Sequence, residues 1–337
     1  MKHVSILVPK NNVILSNVVG PFKVFSAANE FLKQTGQNQV NFFDIHLVGL
    51  EKDTVLYNGA FSIHCDTTID EVQKTDLILI PAVKPDSLLE SLEENTGFIP
   101  WIRRQRSQNN AEIGSMCMGA FTLAQTGLVD GKQCSTHWAG MELFRQLYPQ
   151  VNLISNKIVT DEDGIYTSGG AYSFLNLILH LTEKYCGREV AIYLSKLFEI
   201  EIDREDQNQF AIFKGQKNHE DDAIKEAQVF IEDNVSKKIS VEKLAQKYAI
   251  SRRNFVRRFK KATQNTPLEY IQRVKIEAAK KNLESTQQNI NEIMYKVGYA
   301  DQKAFRLLFK KYVGLSPIAY KSKYNRSIST IEKTTVW

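Results

Sequence analysis

The chain has 337 residues, a length that points to two domains, and its 43% hydrophobic and 24% charged composition is that of a globular protein. Its longest apolar run, Phe174 to Leu181, falls far short of the ~20 residues a helix needs to cross a bilayer, so no membrane-spanning helix is expected. The net charge of +5 conceals a division: residues 223–337 carry 24 Lys+Arg against 10 Asp+Glu, a net +14, and residues 1–222 carry 19 against 28, a net −9.

The apolar run that starts the chain stops at Pro9, so it reads as a first strand over residues 2–8 and not as a signal peptide. A helix is predicted from Pro21 to about Gln34, with Phe22, Phe25, Ala28 and Leu32 at helical spacing. Phe42–Val48 and Ser62–Thr68 read as strands. Asp76–Ile80, closed by Pro81, reads as a central parallel strand, because it is apolar on both faces. Leu88 to Arg106 is helical, broken near Thr96-Gly97 and restarting after Pro100. Strands alternating with helices indicate an α/β layer fold with a parallel sheet.

A strand then runs into Cys117 and a helix leaves it. Ser115 stands two before the cysteine and Gly119 two after, the small residues that a tight nucleophile elbow demands. The helix N-terminus aimed at the thiol is expected to lower its pKa. His137, in Ser135-Thr-His-Trp138, follows the next short strand and is placed to approach Cys117. Residues 152–167 read as two strands joined at 161–164. Gly169 and Gly170 then open an apolar helix through Tyr185, where backbone can approach a ligand closely. The four cysteines (65, 117, 134, 186) have no C-x-x-C or metal-ligand spacing. They are expected to be reduced thiols of a cytoplasmic protein, and no metal or cofactor is expected.

Residues 203–222 are polar without a sustained apolar pattern and read as a linker between a 1–202 domain and a 223–325 domain, with a tail at 326–337. The second domain is helical throughout. Asp222, Ser240, Ser251, Asn289 and Asp301 are placed to cap helices, and Pro267 to open the long one ending near Ser285. Within it a text recurs fifty positions on: Phe255, Phe259, Lys260, Lys261, Pro267 and Tyr270 return as Phe305, Phe309, Lys310, Lys311, Pro317 and Tyr320. Each copy has helix-turn-helix spacing. Gln264 stands where the second copy has Gly314, so a different helix end is expected there. Arg253, Asn254 and Arg257 on the first reading helix, and Gln302, Lys303 and Arg306 on the second, suit base edges in the major groove, and Arg252 is also expected to contact DNA. Lys260, Lys261, Lys310 and Lys311 suit phosphates. The basic sign of this region is the footprint of double-stranded DNA binding.

The stretch Val297-Gly-Tyr-Ala-Asp-Gln-Lys-Ala-Phe-Arg-Leu-Leu-Phe-Lys-Lys-Tyr-Val-Gly-Leu-Ser-Pro317 resembles the signature of the AraC-type DNA-binding domain. That resemblance implies two helix-turn-helix units joined by a long helix. Residues 2–185 resemble the ThiJ/PfpI class of the glutamine-amidotransferase-like superfamily, through Ser115-Met-Cys-Met-Gly119, Ser135-Thr-His-Trp138 and Thr167-Ser-Gly-Gly170. This implies a flavodoxin-like parallel-sheet sandwich, with pairing into a homodimer through that domain. The combination is similar to GlxA-like transcriptional regulators.

Three departures bear on chemistry. Asn17 replaces the acid that precedes Gly-Pro in many relatives, Ala139 stands where amidotransferases carry the residue orienting the histidine, and Pro81-Ala-Val-Lys-Pro85 lacks a Gly pair for an oxyanion hole. A triad needs base, orienter and donors together. The expectation is therefore a regulator, not an enzyme, with Asn17, Cys117, Met118, His137, Gly169 and Gly170 forming a pocket for a small-molecule effector. The alternatives are a cysteine hydrolase or amidase, or a thiol redox sensor, coupled to DNA binding.

Overall fold

A computed structural model describes residues 1–204 and 206–325; the tail expected at 326–337 lies outside the described residues. The chain divides into two compact units, Met1–Gln207 and a second beginning at Asn208.

The first unit runs β1 (Lys2–Val8), α1 (Ser16–Gln34), β2 (Phe43–Gly49), β3 (Asp53–Leu56), β4 (Phe61–His64), β5 (Thr67–Thr68), β6 (Leu77–Ile80), α2 (Leu88–Glu94), α3 (Phe98–Asn109), β7 (Glu112–Met116), α4 (Gly119–Gln125), β8 (Gln133–Cys134), α5 (Met141–Leu147), β9 (Asn152–Leu153), β10 (Val159–Glu162), β11 (Ile165–Ser168), α6 (Phe174–Cys186) and α7 (Arg188–Leu197). Seven strands form one sheet in the order β10-β11-β7-β6-β1-β2-β5. All its neighbours are parallel except the β10–β11 hairpin.

Successive side chains of the central strands alternate between two cores, as a period of two dictates. Val4, Ile6, Val8, Leu77 and Leu79 pack with Phe25, Phe174 and Leu177 of α1 and α6. Leu7, Ile78, Ile80 and Ile113 pack with Trp101, Ile102 and Phe121 of α3 and α4. The sheet is thus covered on both faces, which is why β6 reads as an unbroken apolar run. Helix α1 begins at Ser16, before the expected Pro21, so the proline lies inside the helix and forgoes one backbone bond. Helix α3 restarts at Phe98, before Pro100, which its missing N–H allows in a first turn.

The second unit is α8 (Asp222–Asp233), α9 (Val241–Lys247), α10 (Arg252–Thr263), α11 (Pro267–Ser285), α12 (Ile290–Lys296), α13 (Gln302–Val313) and α14 (Pro317–Tyr324). Side chains of Asp221, Ser240, Ser251, Thr266, Asn289, Asp301 and Ser316 accept the N–H three residues on. The cap of α8 is Asp221, not Asp222, because Asp222 is already helical. The repeated text folds into repeated geometry. Phe255–Phe259 and Phe259–Tyr270 ring centroids lie 5.7 and 5.3 Å apart, and Phe305–Phe309 and Phe309–Tyr320 lie 5.9 and 5.6 Å apart. Helix α11 joins the two cores: Tyr270, Ile271 and Val274 enter one, and Ile276, Ala279 and Leu283 the other.

One expectation about the helix ends is corrected. Gln264 ends α10 in the same left-handed conformation as Gly314 ends α13, at φ 55 against φ 77, and both N–H groups donate at 2.9 Å to the lysine four residues back. The strain of a side chain at positive φ is small enough for the repeat to override it. The division between the two units, at Gln207 and Asn208, falls within the stretch read as a linker, and that stretch makes contacts on both sides of it. Gln207 is buried in the first unit, while Phe213 packs its ring 5.2 Å from that of Tyr270 in the second. Isolated buried residues in a polar stretch carry no periodicity, so sequence pattern alone passes over them.

Candidate functional site

The sequence-predicted pocket residues gather where β6, β7 and β11 end, the carboxyl edge of the sheet at which open α/β folds bind ligands. Cys117 forms the turn between β7 and α4 with φ 55, and Ala171, facing it after β11, has φ 48. Non-glycine residues held there cost roughly 1–3 kcal/mol each and cluster at functional sites. The cysteine is locked from three sides: its N–H donates to Ser168 O at 3.2 Å, its carbonyl accepts from Thr136 Oγ1 at 2.9 Å, and its Sγ receives the N–H groups of Ala171 and Met118. The tightness of the elbow explains Gly119, where a Cβ would lie 2.4 Å from Ile80 O. His137 lies against Gly170, where a Cβ would fall 2.3 Å from its ring. Met118 is buried at 3% exposure in the core, so its backbone and not its side chain reaches the thiol.

Four features oppose nucleophilic chemistry. Burial pushes the Cys117 thiol up to about 11, outweighing the two N–H groups on the sulfur. The expected lowering by the helix is thus overturned; α4 spans only seven residues, and desolvation dominates. Burial also pulls His137 below its ordinary value, so the ring is neutral at pH 7 and lends no positive charge to a thiolate. Its Nδ1 accepts from Ala139 N–H at 3.0 Å, which puts the ring proton on Nε2. Neither nitrogen then keeps a free lone pair to take the thiol proton. Finally, Asn17 Oδ1 accepts from Ala82 N–H at 3.2 Å, so this donor after the end of β6 already has a partner and is not free to stabilise an oxyanion.

On the second unit Arg253, Arg257, Lys260 and Lys261 of α10 and Gln302, Lys303, Arg306, Lys310 and Lys311 of α13 are exposed, opposite the buried phenylalanines. Arg252 is exposed too, but its Nε donates to Glu242 Oε1 at 2.6 Å. Asn254 is half-buried and accepts from Arg257 Nη2 at 2.9 Å, which orients that guanidinium. Arg258 is turned away, gripping Asp221 with two bonds of 2.8 and 2.6 Å.

Residues 2–184 match the DJ-1/PfpI family model, more than half of the sequence, and residues 244–323 match a helix-turn-helix domain. The chain belongs to the DJ-1/PfpI family. Its DJ-1/PfpI domain is joined to an AraC-type helix-turn-helix domain, as the sequence motifs imply. The HTH-type transcriptional regulator GbdR of Pseudomonas aeruginosa is 26% identical over 63% of this chain and 58% of its own length, so the chain spans less than two thirds of that relative. The HTH-type transcriptional regulator GlxA of Rhizobium meliloti is 23% identical over 78% of this chain and 80% of its own. A crystal structure of a Vibrio parahaemolyticus protein covers 58% of this chain and 98% of its own at TM-score 0.51 and 20% identity, which shows the fold alone.

Sequence reasoning missed three residues around these sites. Gln207 lines the back of the DJ-1/PfpI site, its Oε1 accepting from Gly170 N–H at 3.1 Å, and nothing in its polar surroundings marked it. Leu307 is 63% exposed on α13, and its position off the Phe305–Phe309–Val313 stripe was the available signal. Lys275 is buried between the halves of the helix-turn-helix unit, donating to Val235 O, Lys237 O and Val297 O at 2.6, 3.0 and 2.8 Å.

Proposed function

We propose that this protein is a sequence-specific DNA-binding transcriptional regulator whose DJ-1/PfpI unit senses a small molecule. The carrying observation is the pair of equivalent helices, α10 and α13, each presenting exposed cations from an identical Phe–Phe–Tyr base. Each enters a major-groove segment of duplex DNA. Arg253, Arg257, Lys303 and Arg306 read guanine edges, Asn254 and Gln302 read adenine, and Leu307 meets a thymine methyl. Lys260, Lys261, Lys310 and Lys311 hold phosphates. Arg252 has a smaller part, since Glu242 already engages it.

The effector binds where Asn17, Cys117, His137, Gly169 and Gly170 meet, with His137 Nε2–H as a donor to an acceptor atom. The protein acts without turnover, as a cytoplasmic homodimer. A hydrolase or amidase reading is favoured by the strained elbow alone; the neutral thiol, the occupied imidazole and the occupied Ala82 N–H support the sensor. The test is a thermal-shift screen of nitrogenous metabolites against the full chain, followed by product analysis. A specific binder recovered unchanged is expected, stabilising by about 2.7 kcal/mol at a hundredfold excess over Kd. Recovery of a hydrolysed product establishes the enzyme instead.

A further inference from the structure

Gln207 is the last residue of the first unit. It is 2% exposed, and its carboxamide is held at the rim of the site by four backbone groups and one hydroxyl. Nε2 lies 3.2 Å from Thr136 O and 3.3 Å from Ser155 O, Lys157 O and Ser135 Oγ, while Oε1 accepts from Gly170 N–H at 3.1 Å. Its own N–H donates to Asn156 O at 2.9 Å. Two amide protons are shared among four acceptors, so the cradle depends on the relative positions of all of them.

Gly169 and Gly170 show how this cradle connects to the pocket. A Cβ at Gly169 would lie 2.8 Å from the Gln207 carboxamide, and one at Gly170 would lie 2.3 Å from the His137 ring. The two glycines form a wall one backbone thick, with His137 against one residue and Gln207 against the other. Thr136, whose carbonyl faces Gln207, is the neighbour of His137 and donates its hydroxyl to Cys117 O. Beyond Gln207 the slack is short: four residues later the carbonyl of Ala211 accepts from Lys280 Nζ at 2.6 Å within the second unit.

We propose that Gln207 is a positioning residue that couples the His137 side of the pocket to the chain entering the DNA-binding unit. A ligand that moves His137 or the Gly170 peptide disturbs the cradle, loosens Gln207 and so changes the constraint on the segment from Asn208 onward. The residue type fits the task. A carboxylate would set negative charge against three carbonyl oxygens, and a leucine would fill the space while removing the donor those carbonyls share, leaving Lys157 O only its bond from Ser135 Oγ. This coupling rests on the sensor reading for its biological meaning but not for its mechanics.

The test is a double-mutant cycle read by hydrogen exchange in the full chain, with no effector added. Gln207→Leu and Gln207→Glu, both close in volume to glutamine, are each expected to speed amide exchange at 206–211 at least tenfold, with β1, β6 and β7 still protected. His137→Ala is expected to speed the same amides severalfold in the wild-type background and to add nothing in either Gln207 variant, since residues acting through one path are non-additive. Wild-type exchange in both Gln207 variants, or effects of His137→Ala and the Gln207 changes that multiply, overturns the proposal. So does loss of the whole α/β fold in both, which would make Gln207 structural. A non-additive cycle with an empty metabolite screen leaves the coupling standing and removes the sensor; a bound metabolite with an additive cycle does the reverse.

Discussion

The strand-end site and the two reading helices answer their polar groups in opposite ways. Around Cys117 the chain supplies its own partners: Ala139 N–H for His137, Ala82 N–H for Asn17, and Ala171 N–H for the thiol. On α10 and α13 the cations Arg253, Lys260, Lys303, Arg306 and Lys310 face solvent on a helix surface whose other side is buried phenylalanine. The first arrangement suits a small ligand that displaces little water and meets donors already fixed in place. The second suits a polyanion whose counterions are released as it docks. Desolvation dominates in one region and Coulomb attraction in the other, so each should respond to a different perturbation.

The sharpest contrast is in salt. If the outward face works through phosphates, the full chain's affinity for duplex DNA should fall about a thousandfold to a hundred-thousandfold between about 50 and 200 mM salt, for roughly 6–10 phosphate contacts. Effector affinity should barely change, because a neutral thiol, a neutral imidazole and amide donors carry no net charge to screen. Filter binding for DNA and calorimetry for an effector measure the two slopes. Equal slopes would erase the comparison.

Next in size is Gly119→Val. A Cβ there would meet Ile80 O at 2.4 Å and Pro81 O at 2.8 Å, both backbone and unable to give way. Overpacking of this kind costs about 3 kcal/mol. For a unit of about 200 residues that lowers Tm by about 6–12 °C. Calorimetry should show the loss in the α/β transition, with the helical unit's transition unmoved. An unchanged Tm would mean that the elbow is looser than its geometry.

These two regions also differ in how much the sequence revealed. The helical unit was legible almost to the residue, since caps and the Phe–Phe–Pro–Tyr repeat are local signals read within one or two turns. Even so, Gln264 takes the left-handed position without being glycine, because the Phe259–Tyr270 packing beyond it fixes where the chain must go. In the α/β unit the strands and the elbow followed from motifs. The electrostatics did not. Whether Cys117 is acidified by α4 or neutralised by burial depends on three-dimensional desolvation, and the reading from helix polarity had the wrong sign. Gln207 was hidden for a different reason: a lone buried polar residue in a polar stretch has no pattern to find.

Within the outward face, base reading and anchoring can be separated. Arg257 is held by Asn254 Oδ1 at 2.9 Å; if it reads a base edge as proposed, Arg257→Ala should cost roughly 1–3 kcal/mol and relax preference at one or two base pairs. Lys311→Ala should weaken all sequences about equally and reduce the salt slope by about 1. Arg252→Ala should fall below both, since its guanidinium already serves Glu242. Selection from a randomised DNA pool with each variant checks the order. Equal flattening of specificity by Arg257→Ala and Lys311→Ala would show that the roles were divided wrongly.

The smallest effect is expected where the sequence looks most reactive. With its thiol pushed from 9.0 to about 11, Cys117 holds about a hundredfold less thiolate at neutral pH than it would at its ordinary value. Its alkylation by iodoacetamide should be slow at pH 7–8 and rise with pH toward 11, as peptide mass spectrometry can follow. On the proposed sensor reading the site uses the shape of the turn, with Cys117 N–H on Ser168 O and Cys117 O on Thr136 Oγ1, and both are backbone groups that a substitution keeps. Cys117→Ser nearly conserves volume, removes the nucleophile, and places an oxygen where Ala171 N–H and Met118 N–H can still donate. Effector affinity should therefore change by no more than about tenfold, some 1.4 kcal/mol, and DNA binding not at all. A thermal-shift titration beside a DNA-binding assay measures both. If the serine variant folds and binds DNA but no longer responds to the effector, the thiol is acting chemically, and the inward site is a reaction centre that the resting structure keeps protonated.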